Sequence, residues 1–157
     1  MTHAKCHTWL PVFTFGRQQN PSATEILFPA SRMSVLSPRR QELFHQREAM
    51  YAELESVLEE EADPLAAYDN LVKWTLQNYA NHSDSGLLGL LEETVRRFKD
   101  DMRYKSGDLR YVKLWILFAN HVDKPVMIYA YMMEKGIGKP YSLFFEEYAE
   151  ALERDGR

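Results

Sequence analysis

Cysteine is nearly missing from this chain. Cys6 is the only one in 157 residues, which excludes an internal disulfide framework and fits a reducing compartment. No apolar run approaches the roughly 18 residues that a bilayer span requires, so no membrane partner is expected. Without a secretory signal, the Asn81-His82-Ser83 sequon is expected to stay unglycosylated. Acid is scarce at the start: residues 1–40 hold Glu25 alone against Lys5, Arg17, Arg32, Arg39 and Arg40. That leader has the charge of a transit peptide, yet it is more aromatic than amphipathic. The sustained alternation and β-branched enrichment of strands are lacking too.

What is present fits an ordinary globular chain. Hydrophobic residues make up 45% and aromatics 13%, which argues against wholesale disorder. The length suits one domain. Beyond residue 40 the chain has 14 basic and 22 acidic side chains, and so acidic a body argues against nucleic acid as its ligand.

Residues 1–36 show no sustained period, and Pro11, Gly16, Pro21 and Pro29 break every short apolar run, so an irregular or disordered arm is expected there. Order should begin at Ser37-Pro38, an N-cap residue with proline at the first helical position. Leu43, Arg47, Met50, Leu54, Val57 and Leu58 then form a stripe at helical spacing, predicting a long helix that ends near Asp63. Its Arg39 and Arg40 stand at the positive end of the helix dipole and Glu59 to Glu61 at the negative end, so both ends should fray. Asp63-Pro64 opens a second helix, with Leu65, Tyr68, Leu71, Val72, Thr75 and Tyr79 inward. Leu87, Leu91, Val95 and Phe98 mark a third, and Tyr111, Leu114, Trp115, Phe118 and Val122 a fourth beginning at Asp108. A fifth starts at Asp123-Lys124-Pro125 and carries Met127, Ile128, Tyr131 and Met132. A sixth starts at Pro140 and carries Leu143, Phe144, Tyr148 and Leu152. The expected fold is all-α, a tetratricopeptide-like helical repeat (α-solenoid) of about six helices over residues 37–157 behind the irregular arm.

No catalytic, cofactor or metal site is expected. Gly136-Ile137-Gly138-Lys139 lacks the framing of a P-loop and follows a helix where a strand is required, so it reads as a joint between helices. His82-Ser83-Asp84-Ser85 lies on one turn and cannot converge as a hydrolase triad does; Ser83 or Ser85 is expected to cap the next helix. His3, Cys6 and His7 have no second cluster to complete a tetrahedral metal site. Glu92-Glu93 and Glu146-Glu147 diverge on their helices and read as solvated surface, and His45 and His121 lack an evident carboxylate partner. Ser37-Pro38-Arg39-Arg40 has the shape of a proline-directed phosphorylation site, a reading compatible with a plain N-cap. The late aromatics and methionines outnumber the positions one face of three short helices can hide. Tyr129 with Met133, and Phe145 against Phe144, give two helices apolar residues on both faces, implying a packing partner or a peptide groove.

The stretches "ADPLAAYDNLVKWTLQNY", "RYKSGDLRYVKLWILFAN" and "MIYAYMMEKGIGKPYSLFFEEYAEALE" resemble the N-terminal region of the Bub and BubR checkpoint kinases and their kinase-less Mad relative. The resemblance rests on Asp63, Pro64, Leu65, Trp74 and Tyr79, then Arg103, Tyr104, Asp108, Arg110, Tyr111 and Trp115, then Gly136, Ile137, Gly138, Phe144 and Glu147. It covers about residues 40–154. It implies a tetratricopeptide-like domain of the spindle assembly checkpoint, acting in the nucleus at the kinetochore with other checkpoint proteins. It further implies docking of a short helical motif of the kinetochore scaffold on an outer face, with Trp115, Phe118, His121 and Val122 as contact candidates. An alternative is a helical oligomerisation domain that uses the same apolar surface for self-association. Mad and BubR members carry a Lys-Glu-Asn box ahead of this domain; "ATEILFPASRMS" has none, which favours the Bub-kinase branch or a degenerate relative. Family members usually continue with another helix pair beyond the point where this chain stops, so a truncated domain is expected. The chain lacks the glycine-rich loop, Val-Ala-Ile-Lys, His-Arg-Asp and Asp-Phe-Gly of a kinase and is not expected to be an enzyme.

Overall fold

The computed structural model describes residues 37–59, 63–79, 85–105 and 107–156, without the side chains of residues 55 and 57–59. The arm expected over 1–36, the His3-Cys6-His7 cluster, the sequon and residues 82–84 of the His-Ser-Asp-Ser turn lie outside them. Contacts divide the chain into two units, Met1–Gln41 and Glu42–Arg157, and the hydrophobic core belongs to the second. The described residues form seven helices and no strand: α1 (Pro38–Glu59), α2 (Pro64–Asn78), α3 (Leu87–Arg97), α4 (Met102–Lys105), α5 (Leu109–Asn120), α6 (Pro125–Lys135) and α7 (Ser142–Arg154). Six of these match the six predicted. The seventh, α4, is a single four-residue turn inside the connection ahead of Asp108.

Chain neighbours pack on each other, α2 on α3, α5 on α6 and α6 on α7, and α5 also contacts α2, α3 and α7. This is how successive helix pairs share one continuous core in a helical repeat. The periodic rows land inside as expected. Leu65, Tyr68, Leu71, Val72 and Thr75 of α2 are buried, as are Leu87, Leu91, Val95 and Phe98 at α3. On α1, Leu54 is buried, while Leu43, Arg47 and Met50 are half-buried. Arg47, the one polar member of that stripe, donates to the Ser85 carbonyl (3.3 Å) and lies over the rings of Phe44 and Tyr79. Its stem packs while its charge is met by a carbonyl and two π faces.

The connection from α6 to α7 is a joint. Gly136 ends α6 in the left-handed region (φ 76°), and the Ile137 N–H donates to the Met132 carbonyl at 2.8 Å. Ile137 is itself buried, plugging the last turn as a helix C-terminal motif does. Gly138 is also left-handed (φ 84°), and a Cβ there would meet Phe144 Cβ at 3.0 Å and Val112 Cγ1 at 3.2 Å. Helix α7 begins later than predicted. Pro140 stays in the turn, Tyr141 is the N-cap, and its N–H donates to the Gly138 carbonyl (2.9 Å).

Two expectations about the surface are corrected. Most of the late aromatic surplus is internal: Tyr129, Met132 and Phe144 are fully buried, leaving Phe145 at 46% exposure as the one large aromatic among the exposed hydrophobic residues described. The inward row of α6 is Val126, Ile128, Tyr129 and Met132, while Met127, expected inside, faces outward at 37% exposure.

Candidate functional site

The contact candidates lie at the end of α5 and the turn into α6. Trp115 and Phe118 are buried, at 5% and 6% exposure. Trp115 meets Tyr111 and Phe118 edge-on and stacks on Tyr131 of α6, with centroids 5.4 Å apart. Its indole Nε1 is buried without a hydrogen bond of good geometry, and its nearest polar neighbour is the Tyr111 hydroxyl. Lys135 Nζ lies 5.8 Å from the Tyr131 ring centroid. The Tyr131 ring thus contacts both the buried indole and an ammonium group.

His121 and Val122 remain accessible in part, both half-buried. His121 is the C-cap of α5, its N–H donating to the Phe118 carbonyl (3.0 Å), and its ring Nδ1 lies 2.8 Å from the Leu117 carbonyl. The backbone and ring contacts fix the imidazole against the last turn. The structure therefore brings Trp115, Phe118, His121 and Val122 into one neighbourhood, with only the last two offering surface. On α6, Met127 and Ala130 are exposed, Tyr131 is half-buried and Glu134 is exposed. Those positions follow the i, i+3, i+4, i+7 spacing of one helix face. The sequence pattern placed Met127 and Tyr131 inside. Their outward phase was concealed because apolar residues occupy α6 almost all the way round.

A second cluster gathers residues that carried the family resemblance. The Arg110 guanidinium donates to Asp63 Oδ2 (2.6 Å) through one Nη and to Asp108 Oδ2 (2.6 Å) through the other. The Tyr104 hydroxyl donates to Asp63 Oδ1 (2.9 Å). Asp108 also caps α5 by accepting from the Arg110 N–H (2.8 Å). Asp63 occupies the N-cap position of α2 but makes no side-chain cap bond; its oxygens face Tyr104 and Arg110 instead. Partial desolvation pushes the Asp63 and Asp108 carboxyls up. The hydrogen bonds and charge of Arg110 outweigh it and hold both below the usual carboxylate range. Arg110 itself is pushed up by those same two partners. Each charge is met by an opposite one, so this is a strut between the α2 start and the α4–α5 connection.

Other residues singled out in the sequence make local contacts. Tyr68 donates to Glu93 (3.1 Å), Ser85 Oγ accepts the Leu87 N–H (3.1 Å) at the start of α3, and His45 is exposed beside Phe44. Among the described residues, no group of three or more His, Cys, Asp or Glu side chains is arranged to hold a metal ion. No described helix is long and apolar enough to cross a membrane.

Comparisons with known proteins bear on the family and the fold. The family model described as Mad3/BUB1 homology region 1 matches residues 45–157. The chain is 38% identical over 96 residues to the mitotic spindle checkpoint component mad3 of Schizosaccharomyces pombe, covering 60% of this chain and 31% of that protein. It spans less than a third of the length of the curated relatives it matches first. Among solved structures, a chain of the mitotic checkpoint complex superposes with a TM-score of 0.69 at 32% identity, covering 77% of this chain and 56% of that one. The conserved N-terminal domain of the mitotic checkpoint component BUB1 superposes with a TM-score of 0.67 at 28% identity, covering 75% and 65%. The tetratricopeptide-like fold, the order of its motifs and the convergence of Asp63, Tyr104, Asp108 and Arg110 have one conclusion: the chain belongs to the Mad3/BUB1 homology region 1 family of the spindle checkpoint.

Proposed function

We propose that this domain is a non-catalytic docking module of a spindle assembly checkpoint protein. It holds a short amphipathic helix of the kinetochore scaffold against the surface around the α5–α6 turn, and so works at the kinetochore beside other checkpoint proteins. The observation that carries the reading is the accessible row of Met127, Ala130 and Tyr131 on α6, a helix packed on α5, at whose end His121 and Val122 are half-buried. A partner helix recognises such a surface through anchors at the same i, i+3, i+4 spacing. Trp115 and Phe118 support it from beneath, fixing Tyr131 and the end of α5.

The test is titration of the folded domain with a labelled peptide carrying the scaffold's helical motif. Saturable one-to-one binding is expected. His121→Glu and Met127→Glu should each weaken it by about tenfold or more, as anchors do, with thermal unfolding unchanged. Absence of saturable binding, or an affinity in both variants equal to that of the unsubstituted domain, overturns the reading. Self-association is the second reading, favoured by the exposed Phe145 ring. Sedimentation showing a concentration-dependent dimer indifferent to peptide selects it.

A further inference from the structure

Ser37-Pro38-Arg39-Arg40 marks the start of α1. All four residues are exposed, and Ser37 stands outside the helix that Pro38 begins. The Ser37 carbonyl is engaged, accepting from the Arg40 N–H (2.9 Å) and the Gln41 N–H (3.1 Å). It forms the only Ser-Pro or Thr-Pro pair among the seven prolines of the chain. The first turn of α1 holds no acidic side chain, so Arg39 and Arg40 stand there without a negative neighbour in that turn.

We propose that Ser37 is a phosphorylation site for a proline-directed protein kinase. An enzyme of that class reads three features: an accessible hydroxyl, a following proline with no N–H to desolvate, and a cation three residues on. Ser37, Pro38 and Arg40 supply them. In the transfer, Ser37 Oγ attacks the γ-phosphorus of a nucleoside triphosphate. The bond from that phosphorus to the bridging oxygen breaks, the electron pair leaves on the nucleoside diphosphate, and the hydroxyl proton passes to the kinase's base. The product places a phosphate of about −1.5 to −2 charge beside Arg39 and Arg40. The positive charge of the first turn is thereby offset, and the start of α1 is held more firmly.

The experiment incubates the full chain with a proline-directed kinase and ATP and locates the modification by peptide mass spectrometry. A peptide spanning residues 30–45 serves as a positive control. Expected are one phosphate per chain at Ser37, none in Ser37→Ala, and sharply reduced incorporation in Pro38→Ala. Amide exchange in the first two turns of α1 should slow by about two- to fivefold in the phosphorylated chain. Modification of the control peptide but not of the chain, or phosphate at another residue, overturns the site. Phosphate at Ser37 with unchanged or faster α1 exchange overturns its coupling to the helix.

Discussion

Alanine substitution at the two glycines of the α6–α7 joint separates two costs that are usually mixed. Gly136 and Gly138 both sit in the left-handed region, at φ 76° and 84°. An L-residue held there costs about 1–2 kcal/mol. At Gly136 nothing lies within 4 Å of an added Cβ, so Gly136→Ala should cost that amount alone. At Gly138 the new methyl would stand 3.0 Å from Phe144 Cβ, 3.1 Å from Phe144 Cγ and 3.2 Å from Val112 Cγ1. Phe144 is fully buried and Val112 nearly so, and the Phe144 Cβ is tied to the α7 backbone, so neither side chain can swing aside. Relief requires α7 to shift by a few tenths of an ångström, an overpacking cost of about 1–3 kcal/mol. Gly138→Ala is therefore expected to destabilise by about 2–5 kcal/mol, against about 1–2 for Gly136→Ala. Urea unfolding followed by circular dichroism measures both. At about 3 °C per kcal/mol for a chain of this length, the thermal midpoints should separate clearly. Equal losses in the two variants, or a larger one at Gly136, would refute the close approach of Gly138 to α7.

Arg110→Met removes the fork between Asp63 and Asp108 and should cost about 1 kcal/mol at neutral pH, kept small by the partial exposure of the trio. Both carboxyls have folded values below their unfolded ones; their stabilisation is present above the unfolded value and lost as pH falls through the folded ones. The acid limb of a stability profile should accordingly be shallower in Arg110→Met, and an unchanged slope would contradict the assignment. At the other end, burial raises the hydroxyls of Tyr68, Tyr111 and Tyr129, the last to about 12. Their neutral forms stabilise the fold below the unfolded value of about 10, and this is lost as pH rises through the folded values. Denaturation midpoints should fall above pH 10, less steeply in Tyr129→Phe.

Much of this fold is written in short-range spacing. Leu65, Tyr68, Leu71, Val72 and Thr75 recur on one face and all end inside, because a helix with one apolar side has a single way to bury it. Asp108 could be read as a cap because the bond it makes is to a residue two positions on. Asp63 looked the same in sequence, yet its carboxylate bonds Tyr104 and Arg110, 41 and 47 residues away. Local pattern cannot weigh partners at that separation. Nor could it fix the phase of α6. With Val126, Met127, Ile128, Tyr129, Tyr131, Met132 and Met133 in sequence, several faces are equally apolar, and only packing against α5 and α7 selects Tyr129 and Met132 for the inside.

The same degeneracy bears on the contact candidates. An aromatic excess in a short helix has two physical origins: a surface awaiting a partner, or contact with many neighbours at once. For α5 the second holds, since it touches α2, α3, α6 and α7, and Tyr111, Val112, Leu114, Trp115, Ile116 and Phe118 each face one of several directions inward. Such a helix transmits position. Trp115 stacks on Tyr131, which is part of the accessible row, and Phe118 accepts the backbone bond that ends α5 at His121. On the docking reading proposed above, substitutions at these two buried positions would disturb the α5–α6 surface from beneath it. Loss of binding in a Trp115 variant therefore reports the integrity of the support. On that reading, changes at His121, Val122 and Met127, which are at least partly accessible, test the contact itself.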